Sequence, residues 1–236
     1  MLYELAVVMP VYNEECCIAP VINSWYMMLS NLKIDFIMIV LNDGSQDNTL
    51  EILFSLAYKK GVKIVNKPNS GHGSTILLGY HQATQIAQWV FQCDSDDELK
   101  AEDFPNLWLN RQKYVALFGQ RQGHDSSLNR KFISSVSRII VGLLFGKAVI
   151  DVNVPYRLIR SDILKPIIEQ IPFNTLAPNV IISASLAKSG FAINNIPISY
   201  QYRQTGKVSI VKWRLWKLAI LAGWQTLRYR LNFKKT

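Results

Sequence analysis

The sequence predicts an α/β fold with a mostly parallel, Rossmann-like sheet flanked by helices, and three observations carry that prediction. Apolar runs of strand length alternate with helix-length segments through the first half of the chain. The runs are continuous rather than alternating, the pattern of strands covered on both faces. Three of them finish in polar clusters: Tyr12-Asn13-Glu14, Asp43-Gly44-Ser45 and Asp94-Ser95-Asp96. In a parallel sheet such ends converge on one edge, where ligands of open α/β folds bind.

The elements follow in order. Leu5 to Met9 reads as the first strand, closed by Pro10-Val-Tyr-Asn-Glu14, and Ala19 to Leu32 as a helix. Phe36 to Leu41 is the second strand. Asp47-Asn-Thr-Leu-Glu51 carries a capping-type start for a helix to about Ala57. Val62 to Val65 is a third strand, and Asn69-Ser-Gly-His-Gly73 is the loop before a helix from Ser74 to about Ile86. Trp89 to Cys93 is the fourth strand. Tyr114 to Phe118 is another, ending at Gly119-Gln-Arg121, and an amphipathic helix is expected over 129–145. Val154 to Ile159 reads as a strand and Leu176 to Lys188 as a helix. Ala192 to Tyr202 contains Pro197, which assigns it to a sheet edge.

With 236 residues and 49% hydrophobic content, the chain supports one sizeable core. The expected division is a domain over 1–209 and a C-terminal amphipathic helix over 210–236. The formal net charge is +9, and every charged residue after Glu169 is Lys or Arg. A tail so basic calls for an anionic partner, nucleic acid or lipid headgroups. Trp213, Trp216, Ile220, Trp224, Leu227 and Leu231 recur at steps of three or four, one apolar stripe with Arg214, Lys217, Arg228 and Arg230 off it. That pattern fits a helix lying in a membrane interface; packing on the domain's own core or on a second copy of the chain is the plainer alternative. No nucleic-acid motif accompanies the charges. Cys16, Cys17 and Cys93 have no metal-ligand spacing, and their odd number suits a reducing, cytosolic setting. A strand-like run begins at Leu5, so no secretory leader is expected. No apolar stretch reaches the ~20 residues a membrane span needs.

The chemistry concentrates after the fourth strand. Asp94, Asp96, Asp97 and Glu98 repel one another unless a cation sits among them. Hard carboxylate oxygens suit Mg²⁺ or Mn²⁺, in sites that also hold substrate phosphates. A solvated acidic turn capping a helix near Glu102 is the competing reading. Asp43 can accept from a base or ribose hydroxyl, and Gly71 and Gly73 precede a helix as a phosphate cradle would. His72 in that loop is as readily a solvated side chain. Arg130, Ser134 and Arg138 fall at i, i+4 and i+8, on one helix face. Arginines of this kind, Arg121 and Arg203 included, suit an anionic phosphate. Asp151 is placed to act as a base toward a hydroxyl, or else pairs with Arg157 or caps a loop.

Val8-Met-Pro-Val-Tyr-Asn-Glu14, Asn42-Asp-Gly-Ser45, Asn69-x-Gly71-x-Gly73 and Asp94-Ser-Asp96 resemble the successive motifs of family 2 glycosyltransferases of GT-A fold. Gly119-x-Arg121, Arg130-x-x-x-Ser134, Asp151 with Tyr156-Arg157, and Arg203-x-x-Gly206-Lys-x-Ser209 resemble its polyprenyl-phosphate branch, similar to dolichol-phosphate mannose synthases. The resemblance implies a UDP- or GDP-linked sugar donor, Mg²⁺ or Mn²⁺, and a lipid-phosphate acceptor. It implies that Pro10, Tyr12, Asn13, Glu14, Asp43, Gly71, Gly73, Asp94, Ser95 and Asp96 bind the donor. Asp94, Asp96 and Glu98 would surround the metal. Arg121, Arg130, Ser134, Arg138, Arg203 and Lys207 would hold the acceptor phosphate. Asp96 and Asp151 would be the catalytic carboxylates. Three positions depart from the pattern: Asn42 replaces an Asp, Glu98 a Gln, and Pro155 a Gly.

The resulting expectation is an inverting, metal-dependent transferase, peripheral on the cytoplasmic face of the membrane. A family 2 enzyme acting on a glycan or lipid-linked hydroxyl is the alternative within the class. A non-catalytic nucleotide-sugar or anion-binding protein is the alternative outside it.

Overall fold

The computed structural model describes residues 2–122 and 153–200. The expected C-terminal helix, together with Arg130, Ser134, Arg138, Asp151, Arg203 and Lys207, lies outside the described residues.

Seven strands form one sheet in the order β3-β2-β1-β4-β6-β5-β7: β1 Tyr3–Val11, β2 Phe36–Asp43, β3 Val62–Lys67, β4 Ala87–Cys93, β5 Ala116–Gln122, β6 Tyr156–Arg160 and β7 Ile193–Ser199. Six run in one direction. Among the described residues only β6 is reversed, pairing antiparallel with β4 and β5. The helices are α1 Ile18–Asn31, α2 Thr49–Leu56, α3 His72–Ile86, α4 Phe104–Asn110, α5 Ser161–Ile168 and α6 Pro178–Lys188. Strand order turns around at β1: the chain steps outward to β2 and β3, then returns to β4 on the other side. The carboxyl ends of β1 and β4 therefore flank a crevice.

The apolar runs do what their continuity implied. From Leu5 to Val11 and from Met38 to Asp43 every residue is buried. Along β4 the faces alternate. Phe91 meets Trp25 of α1 at 5.1 Å and Phe104 of α4 at 4.8 Å between ring centroids, while Gln92 on the other face meets Tyr80 of α3. Trp25 is the centre of an aromatic cluster that also takes in Tyr156. Rings at 4.5–7 Å in tilted or edge-on arrangements contribute beyond their buried area.

Several boundaries differ from the sequence expectation. β2 continues through Asn42 and Asp43, so these residues are fixed in the sheet. β5 starts later than expected and carries Gly119, Gln120 and Arg121 inside the strand. α3 begins at His72, which brings Gly73 into its first turn. α5 had no forecast at all, because Pro166 sits inside it. β7 is an edge strand and contains Pro197, as expected.

Candidate active site

Two loops close one side of the crevice by reciprocal hydrogen bonds. The Asn13 backbone N–H donates to Ser45 Oγ at 3.0 Å, and Asn13 Oδ1 accepts from the Gln46 N–H at 2.8 Å. One residue on, the Glu14 N–H donates to Thr49 Oγ1 at 2.8 Å. Glu15 Oε2 accepts from the backbone and side chain of Asn48. Asn13 holds a left-handed conformation, φ 55°, which an Asn tolerates better than most residues. Pro10 is buried in β1, Tyr12 half-buried and Asn13 exposed. Glu14 is buried, and its Oε2 accepts from the Cys17 thiol at 3.2 Å. The same thiol reaches the Ser95 carbonyl at 3.5 Å, tying the β1 loop to the β4 loop.

Asp43 organises the loop before α3. Its Oδ1 accepts from the Ser70 N–H at 2.8 Å and its Oδ2 from the Gly71 N–H at 3.0 Å, while Lys67 Nζ pairs with Oδ1. Lys67 is also bound by the Pro68 carbonyl and Thr75 Oγ1. Charge-assisted bonds of this kind are roughly twice as strong as neutral ones. Gly44 makes the approach feasible: its φ is 68°, and a Cβ there would stand 2.7 Å from the Asn69 backbone nitrogen. Gly73 serves a different closeness. A Cβ on it would meet the carbonyl oxygens of Thr175 and Leu176 at 2.2 and 2.6 Å. The start of α3, with its partial positive charge, is thus fixed between Asp43 and the loop ahead of α6.

The carboxylates follow β4. Asp94 is half-buried and Asp96 half-buried, Ser95 and Glu98 are buried, and Asp97 is exposed in a left-handed turn, φ 60°. Burial lifts the Asp94 carboxyl to about 6; Asp96 and Glu98 push the same way, while His72 and Arg121 oppose them. Asp96 Oδ1 accepts from the Glu98 N–H at 3.2 Å, closing a turn. Lys100 pairs with Asp97 and takes that acid out of the cleft. Arg121 lies over the Tyr200 ring, 5.8 Å from its centroid. Among the described residues no three His, Cys, Asp or Glu side chains form a metal-binding group. Asp94, Asp96 and Glu98 therefore do not close a cage by themselves. Two hard carboxylates short of a full ligand set do fit a cation that shares its coordination with phosphates.

Four residues were not singled out from the sequence. Lys67, Tyr80, Gln92 and Asn179 each take part in this side of the molecule through buried or half-buried hydrogen bonds. Gln92, the polar residue between Phe91 and Cys93, was the one visible signal. Arg157 is fully buried and donates to the carbonyls of Val154 and Asn179 and to Ser183 Oγ.

Residues 6–168 match the family model described as glycosyl transferase family 2. The chain belongs to that family. As a family 2 glycosyltransferase it is 27% identical over 210 residues to an undecaprenyl-phosphate 4-deoxy-4-formamido-L-arabinose transferase of Edwardsiella ictaluri, across 86% of this chain and 62% of that one. It thus spans less than two thirds of that relative's length. An uncharacterized protein of Methanocaldococcus jannaschii is 28% identical over 83% of this chain and 87% of its own. Glucosyl-3-phosphoglycerate synthase of Mycobacterium tuberculosis, crystallised with Mn²⁺, UDP-glucose and phosphoglyceric acid, superimposes with a TM-score of 0.71 at 18% identity. That match covers 99% of this chain and 82% of the synthase, and the family 2 glycosyltransferase shares its GT-A fold. No helix among the described residues is long and apolar enough to cross a membrane.

Proposed function

We propose that this glycosyltransferase moves a sugar with inversion from a UDP- or GDP-linked donor to a polyprenyl phosphate. The observation that carries the proposal is the meeting of Asp94 and the first turn of α3 across the crevice, with Asp43 holding that turn in place. Donor-binding roles are assigned to Pro10, Tyr12, Asn13, Glu14, Asp43, Gly71, Gly73 and Ser95. Asp94, Asp96 and Glu98 would surround a divalent cation, Mg²⁺ or Mn²⁺. When bound, such an ion supplies Lewis-acid stabilisation of the leaving diphosphate.

The chain's own residues account for the rest. An acceptor phosphate oxygen attacks the anomeric carbon, and the bond from that carbon to the diphosphate breaks, its electron pair leaving with the nucleoside diphosphate. The nucleophile is already an anion, so the step needs no strong base. It needs cations to offset repulsion between acceptor and donor phosphates, and Arg121 stands beside the carboxylates for that task. Arg130, Ser134, Arg138, Arg203 and Lys207 are assigned to the same phosphate, and Asp151 would serve as a catalytic base toward a hydroxyl acceptor. The N–H groups that open α3 suit the donor's phosphates.

The acceptor class is supported by the name of the Edwardsiella ictaluri relative and by the motifs of the second half. The apolar stripe of 210–236 and the basic residues beside it support peripheral binding on the cytoplasmic face, where a lipid phosphate would be met. The test is direct. The full chain is incubated with Mn²⁺, labelled UDP- and GDP-sugars, and undecaprenyl phosphate in mixed micelles. Label should enter the solvent-extractable lipid as an acid-labile phosphodiester. Label released only as free sugar, with none in the lipid, or none released from any donor, overturns the proposal.

A further inference from the structure

We propose that Gln92 is a positioning residue for Asp94, locked as a hydrogen-bond donor by Tyr80 and Asn179. The inference rests on the reading of Asp94 as a ligand of the divalent cation.

Gln92 is fully buried one residue before the end of β4, where an apolar residue would cost nothing in desolvation. Its Oε1 accepts from Asn179 Nδ2 at 2.8 Å and lies 3.1 Å from the Tyr80 hydroxyl. Its Nε2 donates to Asp94 Oδ1 at 3.2 Å. The two ends of an amide are not interchangeable here. Turned over, the group would set Nε2 against the Asn179 amine and Oε1 against the Asp94 carboxylate, donor to donor and acceptor to acceptor. Asn179 Oδ1 accepts from the Tyr80 hydroxyl at 3.1 Å, which turns Asn179 Nδ2 toward Gln92, so the pair favours the orientation in which Nε2 meets Asp94.

The lock is itself anchored. The Asn179 backbone carbonyl accepts from Arg157 Nη1 at 3.0 Å, and Arg157 is the register partner of Gln92 across β4 and β6. Arg157 is held in turn by two bonds to the Val154 carbonyl, at 2.9 and 2.7 Å. A chain of buried polar groups thus runs from α6 through β6 and β4 to one oxygen of Asp94. A carboxylate just past a strand end can otherwise rotate. Fixing one oxygen with a donor presents the other in a set direction, as outer partners of metal-ligating groups do.

The experiment measures Mn²⁺ binding directly, by the loss of the free-ion electron paramagnetic resonance signal, with UDP and with GDP in parallel. It uses the full chain as wild type, Gln92→Met, Asn179→Ala and the double variant. Gln92→Met keeps the volume and removes the donor; it should weaken Mn²⁺ binding about tenfold, the lower end for an outer partner. Asn179→Ala touches no carboxylate, frees the amide to turn over, and should weaken binding by a smaller factor. The double variant should be no worse than Gln92→Met, because Asn179 acts only through Gln92. Unchanged binding in both single variants overturns the inference, as does a double variant whose loss is the product of the two. Should Gln92→Met not fold, Asn179→Ala decides alone, and unchanged Mn²⁺ affinity overturns the inference. Wild type that binds no Mn²⁺ with either nucleotide removes the metal reading itself, a result distinct from failure of the lock.

Discussion

His72 Nε2 stands 3.9 Å from Asp94 Oδ1, so the opening turn of α3 faces the acidic turn that follows β4. A site built this way sets carboxylates opposite the N–H groups of a helix start. Asp96→Asn should therefore abolish transfer and leave the fold intact. Loss of such an electrostatic stabiliser costs ~3–4 kcal/mol, a hundredfold or more in rate. Repulsion at Asp94 falls at the same time, so the melting temperature without metal should hold or rise. Full turnover by the variant would refute the assignment.

Asp43→Asn should loosen the loop rather than the sheet. An amide cannot accept from both the Ser70 and Gly71 N–H groups and also answer the charge of Lys67. The lost charge-assisted bonds are worth ~1.5–3 kcal/mol. Donor KM should rise well before kcat falls, and amide exchange should quicken at 69–72. Unchanged exchange there would show that the latch is idle.

Gly73→Ala brings a methyl group against two backbone carbonyls that have no rotamer by which to withdraw. Overpacking of this sort costs ~1–3 kcal/mol. A thermal melt should register the loss, and nucleotide binding should weaken with it because the first turn of α3 is displaced. A variant as stable as the parent would mean that the loop at Thr175 and Leu176 yields freely.

Acid should weaken the same region through His81, whose ring stacks on Phe173 at 5.0 Å. Burial holds the imidazole below its ordinary value of 6.5, with Glu169 opposing. The unfolded chain then binds the proton more readily than the folded one, so stability rises with pH across this window. The contribution is present above about 6.5 and is lost as pH falls through the depressed value. Melting temperatures from pH 7.5 to 5 should drop less in His81→Gln than in wild type. Parallel curves would rule the residue out.

Arg121→Ala and Arg203→Ala should raise KM for acceptor far more than KM for donor. The arginines would belong to the donor diphosphate if only donor KM moved. Deleting 213–236 should leave a folded, nucleotide-binding protein that no longer sediments with anionic vesicles. An unfolded product would instead favour packing of the apolar stripe on the domain.

The parallel strands and the polar clusters at their ends were legible because both are local. Continuous burial writes a continuous apolar run, and a ligand edge writes Asp, Gly and Ser just past it. What was not legible is relational. Nothing near Gln92 announces Asn179, which lies 87 residues on. The reversal of β6 is likewise invisible in its own five residues, since an antiparallel strand buried on both faces reads like a parallel one. The Pro inside α5 hid a helix whose register is set by packing. Asp43 was read as a group turned toward a ligand, and the structure adds a second occupation, the backbone of Ser70 and Gly71.

The bonds that join Asn13 to Ser45 and Gln46 have a consequence for anyone building chimaeras from this chain. The turn after β1 supplies a donor and an acceptor whose mates sit only in the turn after β2. Moving either turn alone into another scaffold strands both partners, and grafting succeeds only when 12–15 and 45–49 travel as a matched set.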